Sequence, residues 1–151
     1  MGSLEAGFTL VELVLVSVIL GTLAALALPR LDRALFLGRV AGATGDLRAI
    51  ELDLYDFWSD QERLPTSLSE IGRAGLRDPW GNPYVYVRIN GGEAKIGGLR
   101  KDRFLVPLNS DFDLYSMGKD GLTAFPLSAA RAKDDVVRAN DGAFIGLASD
   151  Y

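Results

Sequence analysis

The apolar residues of this chain are gathered at one end. Residues 13–28, LVLVSVILGTLAALAL, are sixteen positions without a charge, and extension back to Ala6 gives 23 residues whose one charge is Glu12. At about 1.5 Å rise per residue, such a helix is long enough to cross a hydrocarbon core of roughly 30 Å. A transmembrane helix over residues 8–29 is expected. A secretory signal peptide is disfavoured. The preceding MGSLEAG has no Lys or Arg, and the run ends in Leu-Pro-Arg without a small-x-small cleavage site.

Beyond Pro29 the pattern changes. Leu31, Leu35, Val40, Ala43, Leu47, Ile50, Leu54 and Phe57 recur at steps of three to five, with Arg39, Asp46, Arg48, Glu51 and Asp53 largely off that stripe. The helix therefore continues as an amphipathic stem over residues 30–58, kinked at Pro29, which has no N–H to donate. Gly38, Gly42 and Gly45 each weaken it by about 1 kcal/mol relative to alanine. Their spacing fits either close helix packing or local flexibility. Tyr55, Phe57 and Trp58 fit the edge of a core between helix and sheet.

The remainder reads as short strands between turns. Ser67 to Glu70 has capping-box spacing, with Thr66 or Ser67 as the cap. Asp78-Pro79-Trp80-Gly81-Asn82-Pro83 is dense in turn formers and leads into Tyr84-Val85-Tyr86-Val87, a strand signal. Asn90-Gly91-Gly92 is a turn. Asp113–Ser116 reads as a second strand, closed by Gly118-Lys119-Asp120-Gly121. The expected fold class is α+β: a long N-terminal helix on a small antiparallel sheet of about three strands, in a sheet and loop region over residues 78–151.

Charge and composition narrow the chemistry. The 151 residues include 16 basic and 20 acidic ones, a net charge of −4, and neither cysteine nor histidine. Disulfides, thiolate or imidazole metal sites and the commonest general base are thereby excluded. A net-negative chain is also a poor ligand for phosphate backbones, so no nucleic acid is expected. Asp111, Asp113, Asp120, Asp134, Asp135 and Asp141 cluster late in the chain. Their spacing is not that of an EF-hand, and by themselves they read as solvated turn residues.

Glu12 is the costly residue. A carboxylate near the start of a membrane helix costs a few kcal/mol unless paired, and the helix dipole offsets only part of that. A fixed positive partner, such as a nearby N-terminal ammonium, is the natural solution. Gly7-Phe8-Thr9-Leu10-Val11-Glu12, with its apolar run and Pro29, resembles the N-terminal signature of type IV pilins and type II secretion pseudopilins. The resemblance implies a leader, residues 1–7, removed by a prepilin peptidase between Gly7 and Phe8, with N-methylation of Phe8. It also implies that Glu12 pairs with the N-terminus of a neighbouring subunit. Asp78–Tyr84 together with Phe112–Gly121 is similar to the major pseudopilin of type II secretion systems. Residues 91–108 and the insertion-like Thr123–Lys133 are the least similar stretches.

That resemblance implies the major structural subunit of a pseudopilus, a helical homopolymer that helps drive folded proteins across the outer membrane. It places the chain in the bacterial inner membrane, single-pass, with residues 30–151 as a periplasmic domain. The implied partners are further copies, minor pseudopilins, a platform protein and an assembly ATPase. The alternative is a surface type IV pilin for adhesion, motility or DNA uptake. No enzyme activity is expected. The resemblance further implies a calcium ion held by Asp120, Asp134 and Asp135, with the carbonyls of Met117 and Arg138.

Overall fold

The computed structural model describes residues 7–91, 96–103 and 105–151. The element order is a long helix α1 (Leu10–Gln61) followed by four strands. These are β1 (Val85–Arg88), β2 (Phe112–Ser116), β3 (Val136–Ala139) and β4 (Phe144–Leu147). Short 3-10 turns lie at Leu68–Ile71, Ile96–Gly98, Ala130–Ala132 and Ala148–Asp150. The chain divides into two compact units, Met1–Leu37 and Gly38–Tyr151. The expected α+β arrangement is found, with one strand more than the sequence reading anticipated.

In the first unit, every described residue from Gly7 to Leu35 is exposed. An 18-residue window of α1 has mean hydropathy 2.5, and none of it is buried. By length and composition this helix can cross a membrane. Pro29 lies within one helix rather than between two. Proline removes one hydrogen bond, and the helix closes on both sides of that gap. Leu31 and Leu35, read above as part of the buried stripe, are 55% and 56% exposed. The stripe starts later, at Val40.

In the second unit, Ala43, Leu47, Ile50 and Leu54 of α1 are wholly buried. The helix ends at Gln61, and Glu62 turns the chain with φ 54° while its N–H still reaches Trp58 O at 2.8 Å. Glu70 does not form the expected box with Ser67, whose side chain caps nothing. It accepts instead from the Thr66 N–H at 2.7 Å and pairs with Arg63 at 2.8 Å.

The sheet is antiparallel in the order β1-β2-β3-β4. Strand alternation sorts its two faces. Tyr84, Tyr86, Phe112, Leu114, Val136, Ile145 and Leu147 pack with the α1 stripe. Tyr115, Val137 and Ala139 face the other way and pack with Leu108, Leu127 and Ala148. Both faces are therefore covered, and all five β2 residues are buried. β3 and β4 are joined through Asn140, Asp141 and Gly142 at φ 51°, 52° and 90°. Ala143 N donates to Asn140 O at 3.1 Å across this tight turn. The turn predicted at Asn90-Gly91-Gly92 runs into residues 92–95, which lie outside the described ones.

Of the three stem glycines, Gly42 has a packing role. A Cβ there would sit 3.3 Å from Pro79 Cγ, while Gly38 and Gly45 face open space. The D-P-W-G-N-P turn thus lies against the helix at a point where a side chain would crowd it.

Leu47→Ala is expected to destabilise the chain by about 2–5 kcal/mol, because it opens a cavity where no neighbour is free to move in. Leu52→Ala, on the exposed side of α1, is expected to change stability by less than about 0.5 kcal/mol. Urea unfolding of both variants in detergent checks the contrast.

Candidate functional site

Two regions carry the candidate residues, one in each unit. At the start of α1, Thr9 and Glu12 form a reciprocal cap. Thr9 N–H donates to Glu12 Oε2 at 2.9 Å, and the Thr9 hydroxyl donates to the same oxygen at 2.8 Å. Glu12 N–H donates back to Thr9 Oγ1 at 3.2 Å. This is the capping box that threonine and glutamate three residues apart can build, and it satisfies two orphan donors of the first turn. It also gives the carboxylate two partners within its own chain. Glu12 Oε1 takes no hydrogen bond among the described residues. Phe8 is 76% exposed, and Gly7 has open space around its Cα. Residues 1–6 of the leader lie outside the described residues.

In the second unit, the two motifs that carried the sequence resemblance are one structure. Asp78 Oδ1 accepts from Trp80 N–H at 3.0 Å and Asn82 N–H at 2.8 Å, which fixes the turn. Its other oxygen accepts the Ser116 hydroxyl at the end of β2. Asn82 Nδ2 donates to Gly118 O at 2.9 Å. Gly118 has φ 64°, and a Cβ on it would fall 2.1 Å from Asp134 O. Glycine is therefore required both by backbone conformation and by the approach of the loop before β3.

Among the described residues, no group of three or more acidic side chains could hold a metal ion. Asp134 Oδ2 accepts from the N–H groups of Lys119 at 2.8 Å and Asp120 at 3.0 Å. Asp120 Oδ1 turns to Leu122 N–H at 2.7 Å. Asp135 is buried, and its Oδ2 is bound by Arg100 Nη2 at 2.6 Å and Thr123 Oγ1 at 2.6 Å. The Arg138 carbonyl accepts from Asn109 Nδ2 at 3.1 Å. Met117 flanks Gly118 beside this loop and packs partly buried under the second face of the sheet. Arg138 itself, read from the sequence only as a carbonyl, lies in β3.

Two buried guanidiniums organise the unit: that of Arg138, which the sequence reading used only for its carbonyl, and that of Arg100, which it did not single out. The Arg138 guanidinium binds Glu51 at 2.6 Å, both Asp111 oxygens at 2.8 Å and Tyr55 OH at 2.8 Å, over the Phe112 ring. Arg100 stacks over Tyr115, 3.7 Å from the ring centroid, and its N–H donates to Asp113 Oδ2 at 2.8 Å. Burial pushes the Asp113 carboxyl up, against the pull of the Arg100 N–H and Asn109. Burial likewise pushes Asp135 up to about 6, with Arg100 and Thr123 pulling it back. A cleft of about 460 Å³ near the end of α1 is lined by Tyr55, Trp58, Arg63, Arg88, Asp111 and Asp141. Arg63 there is engaged with Glu70, Arg88 reaches Leu64 O, and the Ser110 hydroxyl donates to Asp141 Oδ2 at 2.8 Å.

The chain was compared with known proteins. It is 33% identical over 138 residues to the type II secretion system core protein G of Pseudomonas aeruginosa, covering 78% of this chain and 85% of that protein. The chain belongs to the type II secretion core protein G family. The Aeromonas hydrophila core protein G is 32% identical over 142 residues, with the same coverage of both chains. The type IV major pilin protein PilA of Myxococcus xanthus is 36% identical over 80 residues, which is 53% of this chain and 35% of the pilin. No family model and no solved structure matches. Membership in the core protein G family agrees with the resemblance read from Gly7–Glu12 and from the D-P-W-G-N-P and S-M-G-K-D-G motifs.

The pH dependence of Asp135 has a definite sign. In the folded chain Asp135 holds a proton up to about pH 6, and an unfolded aspartate only up to about 3.9. Between those limits the folded state binds more protons, so this group's contribution to stability is greatest below about pH 4 and declines as pH rises to about 6. Asp135→Asn is expected to lack that decline. The difference in melting temperature between the parent protein and the variant therefore falls from pH 4 to 6 and levels off above. Thermal melting in stepped buffers reads it.

Proposed function

We propose that this chain is the major structural subunit of a type II secretion pseudopilus. One observation carries the reading. The helix that begins at Leu10 is apolar on every side for its first half, is wholly exposed there, and bears a capped carboxylate at its start. Such a helix needs lipid or copies of itself as surroundings, and exchanging one for the other replaces one apolar setting by another. Its family relatives are named as secretion-system core proteins. The pilin likeness covers barely a third of the pilin, so a surface pilus is not favoured.

The finer assignments follow from that reading. Residues 1–7 are the leader, cut between Gly7 and Phe8, and Phe8 is then methylated. Residues 8–29 cross the inner membrane, and residues 30–151 form the periplasmic part. Glu12 pairs through its free Oε1 with the N-terminal ammonium of a neighbouring subunit, while Thr9 keeps Oε2. Minor pseudopilins, the platform protein, the assembly ATPase and the prepilin peptidase are its working partners. The subunit performs no bond chemistry.

The test uses the full chain in a host with the rest of the secretion apparatus. Mass spectrometry of the membrane fraction is expected to find a chain starting at methylated Phe8, and Gly7→Val to leave the leader in place. Glu12→Ala is expected to be processed and inserted but to lose filament assembly at least tenfold, read by sedimentation of sheared filaments. Normal filaments from Glu12→Ala would overturn the assigned role of Glu12. Long surface fibres without any secretion defect on deletion would favour the pilus.

A further inference from the structure

Arg100 is 2% exposed, yet it carries a charge that an isolated side chain would not bring into a protein interior. Its acceptors come from separate parts of the unit. Nη2 reaches Asp135 Oδ2 at 2.6 Å and Thr123 Oγ1 at 2.6 Å, Nη1 reaches Ala124 O at 3.2 Å, and the planar group lies on Tyr115. The guanidinium therefore ties the segment before β2, the 123–124 loop and the residue that precedes β3. Asp135 is common to this set and to the ligands of the implied metal.

We propose that Arg100 is the resident counter-cation of this acidic region, so that the C-terminal unit orders itself without a divalent metal. Three observations carry this. First, the assigned ligands already take hydrogen bonds that order the loop without an ion: Asp134 Oδ2 accepts two backbone N–H groups, Asp120 Oδ1 accepts Leu122 N–H, and the Arg138 carbonyl accepts from Asn109. Second, Asp135 offers a metal only Oδ1, which has no partner, while a guanidinium holds its other oxygen. Calcium needs six to eight oxygens, and a divalent ion on Oδ1 would face that guanidinium's like charge in a medium of low dielectric. Third, the arginine and two of its three side-chain acceptors come from the two stretches least similar to the pseudopilin pattern. Residues 91–108 supply Arg100, and the Thr123–Lys133 insertion supplies a hydroxyl and a carbonyl that accept from its two Nη atoms, while its Nε has no partner among the described residues. The two departures meet at the Arg100 guanidinium. A guanidinium that is part of the chain stays in place when divalent ions are scarce.

The inference does not depend on the filament reading, because it concerns the folding of a single subunit. The experiment is thermal melting of the full chain in detergent micelles with millimolar calcium, with equal magnesium, and with chelator. The parent protein is expected to melt at the same temperature, within about 1 °C, in all three. A calcium-specific rise that Asp135→Asn abolishes would overturn the proposal, since a ligand that binds only the folded state must raise its stability. The second arm separates charge from packing. Arg100→Gln is expected to lower the midpoint by about 10 °C or to prevent folding, because it strands a buried carboxylate. Arg100→Gln with Asp135→Asn is expected to recover at least a third of that loss. A double variant that melts no higher than Arg100→Gln would show that Arg100 only fills space, and the proposal would fall.

Discussion

The C-terminal unit depends on one buried guanidinium. Arg138 sits in β3 and is fully buried, and it binds Glu51 and Tyr55 of α1 as well as Asp111 beside β2. Hydrophobic contact alone would let a helix slide or turn on a sheet, because it has no preferred direction. Charge-assisted hydrogen bonds at 2.6–2.8 Å do not allow that. Glu51 lies one position from Ile50, so its pairing orients the Ala43, Leu47, Ile50, Leu54 stripe toward Phe112 and Val136. A buried ion pair adds little net stability over an apolar replacement, but breaking one costs several kcal/mol. Its effect here is to select one arrangement among the many that greasy surfaces permit.

Much of this was legible in the sequence wherever the signal is local. The apolar run, the stripe from Val40 to Leu54, the Asp78–Asn82 turn and the first two strands all follow from periodicity or turn chemistry. Arg100 left no local mark, since its partner Asp135 is 35 residues away. β3 and β4 were missed for another reason. Reading Asp134, Asp135 and Arg138 as metal ligands hides the Val136–Ala139 strand that follows the two aspartates and contains the arginine. The sequence does hold the hairpin signal: Asn140-Asp141-Gly142 between two apolar runs is the composition that positive-φ turns require. Leu31 and Leu35 show the opposite error, a correct period extended past the point where anything packs against it.

The two halves of α1 solve different problems with one secondary structure. Residues 10–28 bond most of their backbone groups within the helix, which is the condition for sitting in hydrocarbon. Residues 43–54 use the same helix to present one apolar edge to a sheet. Glu12 belongs to the first problem, and the Thr9 cap lowers its cost without consuming both oxygens.

The C-terminal unit has sealed both of its central ion pairs away from solvent. Dissolved ions screen charges only where they can reach them. Arg63–Glu70 and Arg73–Asp53 lie on the surface and will soften in brine. Arg100–Asp135 and Arg138–Glu51 will not. The central pairs are thus less sensitive to the salinity of the surroundings than the acidic exterior of the same unit. Subunit shape and subunit-to-subunit repulsion are governed by separate sets of charges, so the medium can tune the second without disturbing the first.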